Sequence, residues 1–128
     1  MSVTILNKIY NIKTTKELNL SNKSLTKLPA EIGNLTNLEI LYLTNNQLTK
    51  LPVEIGNLTN LKLLYLHNNQ LTKLPAEIGN LTNSEQIFLV NNQLTYLPVE
   101  ILKIKNSLTI DETSYEINNM DCETEIIV

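Results

Sequence analysis

Leucine and isoleucine recur along this chain with a fixed period of 23 residues, and polar residues fill most positions between them. Residues 38–60 and 61–83 read LEILYLTNNQLTKLPVEIGNLTN and LKLLYLHNNQLTKLPAEIGNLTN, and they differ at four of their 23 positions. Repetition with a period of about 20 to 50 residues indicates a stack of one repeated supersecondary unit. The pattern therefore predicts a solenoid built from similar coils.

Within each coil, the pattern changes from strand-like to helix-like. Leu41, Tyr42 and Leu43 alternate in polarity, which predicts a strand with both leucines pointing inward and Tyr42 pointing outward. Pro52 fits the first turn of a short helix, where its missing N–H costs nothing. Gly56 fits the end of that helix, where a positive φ is cheap for glycine. We therefore predict an α/β fold whose stacked strands form one parallel sheet.

The 23-residue frame predicts four coils, at residues 15–37, 38–60, 61–83 and 84–106, with a degenerate segment at each end. We interpret residues 1–14 as an N-terminal capping half-repeat. On the common frame Ile5, Ile9 and Ile12 take the places that apolar residues hold in the later helical returns, which predicts a short helix here. Such a cap would cover the first coil, because a stack otherwise ends in bare apolar surface.

The frame fails beyond residue 106, so we interpret residues 107–128 as a degenerate, acidic C-terminal cap or tail. Residues 108–110 can add a last short strand. The final residues, EIIV, have no partner in the frame, and they indicate either a tail folded over the fourth coil or a chain cut short within a longer architecture. Residues 111–128 hold six acids and no base, which is typical of a solvating end or of a docking segment.

Two kinds of polar residue interrupt the apolar frame. An asparagine stands where each of three coils leaves its strand, and its amide can pair buried backbone groups in coil after coil, which predicts a structural ladder of Asn46, Asn69 and Asn92. Ser84 takes the place that Leu61 holds in the third coil. Replacing a core leucine by a small residue costs about 2–5 kcal/mol. We therefore predict a small void or a bound water beside Ser84, and a more stable fold for Ser84→Leu.

The consensus LxxLxLxxNxLxxLPxEIxxLxx, as in residues 38–60, resembles the leucine-rich repeat family over residues 15–106. It is most similar to the 23-residue intracellular class typified by Ras-group and Ras-suppressor repeat proteins. The resemblance implies a right-handed solenoid with a curved parallel sheet on its concave face and short helical or 3-10 returns on its convex face. It also implies a protein-interaction scaffold in signalling, and by analogy alone it makes a small GTPase or its regulator a conceivable partner.

Composition argues against several other functions. The ten lysines are accompanied by no arginine, and the net charge is −3, which disfavours nucleic-acid binding. His67 and Cys122 are single residues of their types, so a His/Cys metal site lacks ligands and nothing orients a Cys–His dyad. The three glycines lie one repeat apart and form no phosphate-binding loop. We expect no enzymatic activity, no catalytic residues, no cofactor and no metal.

The cysteine count and the N-terminus bear on the compartment. Cys122 has no second cysteine to pair with, which favours a reducing environment. The first residues, MSVTILNKIYNIK, contain no uninterrupted apolar segment, and no run approaches the roughly 18 apolar residues of a membrane span. We expect an intracellular, cytoplasmic monomer without membrane contact. The Asn-x-Ser/Thr motifs at Asn22, Asn34, Asn57 and Asn80 then follow from the repeat and are not modified.

The outward positions of the predicted strands form the candidate partner surface. Three columns cross the coils: Glu17/Ile40/Leu63/Gln86, Asn19/Tyr42/Tyr65/Phe88 and Ser21/Thr44/His67/Val90. An apolar patch of this kind on a polar-rimmed domain is typical of a protein contact. We predict that a protein or peptide binds on the concave face at Ile40, Tyr42, Thr44, Leu63, Tyr65, His67, Phe88 and Val90.

Three alternatives remain open for this surface. The stacked aromatic residues could simply stabilise neighbouring strands. The chain could be the recognition arm of a longer signalling enzyme, such as a kinase or ubiquitin ligase, whose catalytic domain is absent here. Polyanion binding through Lys27, Lys50 and Lys73 would depend steeply on salt, and the interleaved glutamates argue against it.

Overall fold

Short strands alternate with short 3-10 helices along the chain. The structure is a computed structural model, which describes residues 1–109 and 126–127. In chain order its elements are β1 (Ser2–Ile5), β2 (Lys8–Asn11), β3 (Glu17–Asn19), η1 (Ala30–Asn34), β4 (Ile40–Tyr42), η2 (Val53–Asn57), β5 (Leu63–Tyr65), η3 (Ala76–Asn80), β6 (Gln86–Phe88), β7 (Tyr96–Leu97), η4 (Val99–Lys103), η5 (Lys105–Ser107), β8 (Leu108–Thr109) and β9 (Ile126–Ile127), where η denotes a 3-10 helix.

The main sheet is parallel and has the strand order β3-β4-β5-β6-β8. Each of its first four strands is displaced by one 23-residue coil, so that Leu18 lies beside Leu41, then Leu64, then Ile87. The predicted parallel sheet is confirmed. The spacing between the last two strands, β6 and β8, is shorter: Ile87 lies beside Leu108, 21 residues later. This shorter spacing explains why the 23-residue frame fails there. The predicted last strand is present at Leu108–Thr109, while residue 110 lies outside the described residues.

The core consists of nearly identical layers of aliphatic side chains, one layer per coil. In the second coil six of the seven apolar residues of the frame have no exposed surface, and the seventh, Leu51, is 4% exposed. The six are Leu38, Leu41, Leu43, Leu48, Ile55 and Leu58. Full burial of such a side chain contributes about 1.5–3 kcal/mol. Because the same residues recur in the third coil, each layer packs on a copy of itself, and the stack needs no large aromatic residue in its interior.

The return segment of each coil is a five-residue 3-10 helix that begins directly after a proline. Our prediction of a positive φ at Gly56 is wrong, since none of the three glycines has one. A Cβ atom on Gly56 would lie 2.8 Å from both the Cβ atom and the carbonyl oxygen of Glu77 in the next coil. Glycine is therefore required because neighbouring coils approach closely here, and not because of its backbone conformation.

Residues 1–14 contain a β-hairpin, so the predicted short helix is wrong. β1 and β2 pair antiparallel through a two-residue loop, in which Leu6 and Asn7 have φ of 51° and 64°. Strand periodicity then decides the burial: Ile5 is buried on the inner side, whereas Ile9 is 71% exposed. Ile12 is half-buried. β1 lies against η1 of the first coil, and the division of the chain into a cap, four coils and a tail stays a prediction.

Two short strands meet at the fourth coil. β9 pairs antiparallel with β7, with Leu97 opposite Ile126 and Tyr96 opposite Ile127. Two residues of the EIIV sequence therefore lie beside the fourth coil, and the interpretation of residues 107–128 as a cap or tail stays a prediction. The acidic residues 111–125 and Cys122 lie outside the described residues.

Candidate functional site

The outward face of the main sheet is built from alternate residues of its strands. In β4, β5 and β6 the middle residue is buried and its two neighbours are half-exposed. The register aligns Glu17, Ile40, Leu63 and Gln86 in one column and Asn19, Tyr42, Tyr65 and Phe88 in the next. Backbone bonds just after the strands, such as Asn45 N–H to the His67 oxygen at 3.2 Å, continue this alignment into the column Ser21, Thr44, His67 and Val90.

Tyr42, Tyr65 and Phe88 form a stacked aromatic column. The ring centroids of Tyr42 and Tyr65 are 4.8 Å apart with planes inclined by 8°, and those of Tyr65 and Phe88 are 4.8 Å apart with planes inclined by 11°. This spacing follows the distance between adjacent strands, about 4.8 Å. The faces of neighbouring rings therefore lie against each other, so the column presents ring edges along its length and a ring face only at its two ends.

His67 and Thr44 border the aromatic column on one side. The His67 ring packs edge-on, with centroids 6.2 Å from Tyr65 and 6.3 Å from Phe88. Thr44 Oγ1 lies 3.4 Å from His67 Nδ1, and the Thr44 backbone N–H donates to Ser21 Oγ at 3.1 Å. These contacts connect the first three coils along the border of the column.

The structure places all eight predicted contact residues on this outward face, and all are half-buried. Ile40 and Leu63 lie adjacent in one column and extend the apolar area beside the aromatic column. At its border, Lys62 Nζ lies 3.8 Å from Glu39 Oε2. The face therefore combines an apolar centre with a charged rim, which is the usual anatomy of a protein interface.

Three asparagines that follow the strands hold them in place; Asn46 and Asn69 are buried, and Asn92 is half-buried. Asn69 Nδ2 donates to the carbonyl oxygens of Leu43 at 2.9 Å and Leu66 at 3.0 Å, while Asn69 Oδ1 accepts from the Leu48 N–H at 3.1 Å. Asn46 and Asn92 make the corresponding bonds one coil away on either side. Each side chain thus joins two successive coils directly behind the outward face.

A second asparagine ladder was not predicted from the sequence. Asn68 Nδ2 donates to Asn45 Oδ1 at 2.8 Å, and Asn91 Nδ2 donates to Asn68 Oδ1 at 2.7 Å, all on exposed residues. These residues have φ near 57°, as does Asn22 with 58°. The repeated Asn-Asn pair was the available signal, because asparagine tolerates the left-handed region better than other non-glycine residues do.

A groove of about 870 Å³ runs along the 3-10 helices, away from the aromatic column. Its lining repeats a lysine, a proline and a glutamate in each of three coils, as in Lys50, Pro52 and Glu54, and Leu6 of the hairpin lies at its edge. Positive and negative side chains alternate in this groove. This arrangement disfavours the polyanion site that we considered at Lys27, Lys50 and Lys73.

The described part of the chain contains neither a metal-binding cluster nor a membrane-spanning helix. Within residues 1–109 and 126–127, no three His, Cys, Asp or Glu side chains are grouped so that they could hold a metal ion. Over the same residues, every helix is too short or too polar to cross a membrane.

Comparisons with known proteins give a consistent result. A family model described as a leucine-rich repeat region matches residues 2–119. The structure of a leucine-rich repeat protein of Leptospira interrogans is similar with a TM-score of 0.68 and 51% identity, over 72% of this chain and 23% of that chain. The plant peptide hormone receptor RGFR1, in complex with RGF2, gives a TM-score of 0.61 and 37% identity, over 74% of this chain and 16% of that one.

An internalin-like protein of Listeria monocytogenes is similar with a TM-score of 0.54 and 38% identity, over 65% of this chain and 23% of that chain. A search of curated proteins found no match. The chain thus spans less than a quarter of the length of each of these three structures.

Proposed function

Because the chain belongs to the leucine-rich repeat family, we propose that it binds a protein or peptide partner across the concave face of its sheet. Repeat proteins of this family are typically binding modules without enzymatic activity. The plant receptor RGFR1 was solved in complex with RGF2, which supports a protein or peptide partner in general. Neither the family model nor the matched structures support the alternative of a recognition arm of a longer signalling enzyme.

The observation that carries the proposal is the aromatic column. Tyr42, Tyr65 and Phe88 form a continuous stack that is half-exposed on the outward face, and Ile40 and Leu63 extend its apolar area. Tyrosine and phenylalanine bury a large area and lose little rotamer freedom when they are already packed. Because the sheet already fixes these rings, binding would cost little side-chain entropy, and most of the energy of the new contacts would contribute to affinity.

The consensus of the repeat is the basis for assigning the chain to a class within the leucine-rich repeat family. The 23-residue pattern supports the intracellular class that Ras-suppressor repeat proteins typify, with a right-handed, curved solenoid. Within this proposal the chain is a monomeric signalling scaffold in the cytoplasm, and the partner is a small GTPase or a regulator by family analogy alone. Sedimentation of the purified chain tests whether the protein is monomeric. A dimer at micromolar concentration would contradict this assignment.

The experiment uses a library of random linear peptides displayed on phage, selected on the purified chain. A variant with Tyr42, Tyr65 and Phe88 replaced by alanine should lose at least tenfold in affinity for the selected peptides, because the anchoring rings are gone. The control variant is Val53→Ala, which removes apolar surface from a residue 53% exposed on the opposite groove. It should bind as the unaltered chain does.

Circular dichroism and thermal melting decide between binding and a purely structural role. We expect the triple variant to keep its far-ultraviolet spectrum and to melt somewhat lower, since cross-strand aromatic pairs contribute about 0.2–1 kcal/mol each. Selected peptides that bind the folded triple variant as tightly as the unaltered chain would show that the column only stabilises the sheet.

A further inference from the structure

The three outward columns of the sheet carry very little charge. Of their twelve side chains in the four coils, one bears a formal charge at neutral pH, and this is Glu17 in the first coil. The remaining positions hold aromatic, aliphatic and neutral polar residues. Within these three columns a partner therefore meets a negative charge at the first coil and an uncharged, apolar surface at the fourth. One border of the columns carries charges of alternating sign, at Lys16, Glu39, Lys62 and Glu85.

Glu17 is available for an external partner. Its side chain is exposed, and it forms no ion pair with any residue in the described part of the chain. Glu39, by contrast, already has Lys62 within 3.8 Å. The register places Glu17 beside Ile40 and therefore diagonally from Tyr42, a separation of about 7–8 Å between diagonal neighbours. One long side chain of a partner can therefore reach both Glu17 and Tyr42.

The aromatic column ends at Tyr42. Tyr65 stacks on one face of the Tyr42 ring, and the neighbour on the other side is Asn19. The Asn19 side chain bonds to the segment that follows its own strand, where Oδ1 accepts from the Ser21 N–H at 3.0 Å. Among residues 1–109, no further ring stacks on this side of Tyr42. A flat group from a partner would continue the stack at this end.

We propose that the partner is an extended peptide segment with an arginine at the first coil and an apolar side chain at the fourth. The guanidinium group would stack on Tyr42 and pair with the Glu17 carboxylate, while the apolar side chain would cover Phe88 and Val90. Arginine fits better than lysine, because its planar group stacks on aromatic rings and binds a carboxylate with two parallel bonds. This inference rests on the proposed function.

The geometry also sets the spacing of the two anchors. Two ring spacings of 4.8 Å separate Tyr42 from Phe88. One further spacing of about 4.8 Å places the guanidinium group, for a total of roughly 14 Å. An extended chain advances about 3.4 Å per residue, so the arginine and the apolar residue should lie about four positions apart.

The test repeats the peptide selection on three proteins: the unaltered chain, Glu17→Gln, and the variant with all three aromatic residues replaced by alanine. Peptides selected on the unaltered chain should be enriched in arginine about four positions from an aromatic or aliphatic residue. A synthetic copy of the most enriched peptide should bind Glu17→Gln about fivefold more weakly, which is typical of an exposed charge pair supported by stacking. Changing its arginine to lysine should also weaken binding.

The control for net charge is Glu31→Gln, which removes one exposed carboxylate from the lining of the groove on the other side and should leave affinity unchanged. The loss at Glu17→Gln should shrink at high salt, because exposed charge pairs are screened. Peptides that need the aromatic column but lack arginine, or that bind Glu17→Gln as well as the unaltered chain, would overturn this inference and leave the proposed function intact. Peptides that bind the triple variant equally well, or a selection that yields no binder, would overturn both.

Discussion

Replacing Ser84 by leucine should stabilise the protein. Ser84 holds the place of Leu38 and Leu61, both of which are fully buried. All three positions make the same backbone hydrogen bond: the N–H groups of Ser84, Leu61 and Leu38 donate to the oxygens of Leu81, Leu58 and Leu35 at 3.0, 3.0 and 2.9 Å. A leucine at position 84 therefore needs no change of the backbone.

The hydroxyl group of Ser84 adds a second reason. Its Oγ atom is buried, and it has no hydrogen-bond partner within the part of the chain that the structure describes. The carbonyl oxygen of the same residue is satisfied, because it accepts from Ser107 Oγ at 2.7 Å. Leucine would remove the unsatisfied hydroxyl group and leave the carbonyl bond in place.

The magnitude follows from two contributions. A buried hydroxyl group without a partner costs about 1–3 kcal/mol. A missing leucine side chain in a rigid core costs about 2–5 kcal/mol, but Ser84 is only half-buried, so we expect a smaller share of this amount to be regained. Together they suggest a gain of about 2 kcal/mol, the upper end for cavity-filling substitutions. For a domain of this size that corresponds to a rise of several degrees, roughly 4 °C per kcal/mol.

Urea denaturation followed by circular dichroism measures this gain as a shift of the midpoint. Ser84→Ala serves as the control that removes the hydroxyl group without filling space, and it should gain about half as much. The converse change, Leu61→Ser, should lose about 4 kcal/mol, because it creates both defects in a fully buried position. A lower midpoint for Ser84→Leu than for the unaltered chain would refute the reasoning, and equal midpoints for leucine and alanine would refute its packing part.

Four further substitutions test the packing of the coils and of the N-terminal hairpin by the same denaturation assay. Gly56→Ala should destabilise by about 1–3 kcal/mol despite the better helix propensity of alanine, because its Cβ atom would meet Glu77 of the next coil at 2.8 Å; a neutral or stabilising effect would contradict this close approach. Asn69→Ala should lower the free energy of unfolding by about 3 kcal/mol, because it leaves buried backbone groups of two coils unpaired. A loss below about 1 kcal/mol would show that water replaces the amide. Ile9→Thr should change the free energy of unfolding by less than about 0.5 kcal/mol, because the Ile9 side chain is 71% exposed. Ile5→Thr should cost several times more, because Ile5 is buried. Equal losses for the two variants would favour the helix over the hairpin.

The sequence was sufficient to predict which residues of the candidate site align in columns across the coils. A fixed 23-residue period aligns equivalent residues of successive coils, so Tyr42, Tyr65 and Phe88 had to be neighbours once the strands were located. The near-parallel stacking of their rings and the edge-on position of His67 were not predictable, because rotamers depend on packing against neighbouring side chains. The availability of Glu17 also required the structure, which shows which charges already have partners.

The N-terminus illustrates why local patterns failed at the end of the stack. Ile5, Ile9 and Ile12 have helical spacing, but Val3 and Ile5 also fit a strand, and the loop at Leu6 and Asn7 lacks the glycine that usually marks a hairpin. The pairing of β1 with β2 decided between the two periods.

The sequence by itself determined the coil length, the inward-facing residues and the alignment of the strands, because a repeated unit packs on copies of itself and its period carries the tertiary information. Only the tertiary structure decided what happens where that repetition ends or where two coils touch. The hairpin at residues 1–14, the shortened last step to β8 and the need for glycine beside Glu77 depend on contacts between different coils or segments. Such contacts join residues that are remote in sequence, so no local pattern records them.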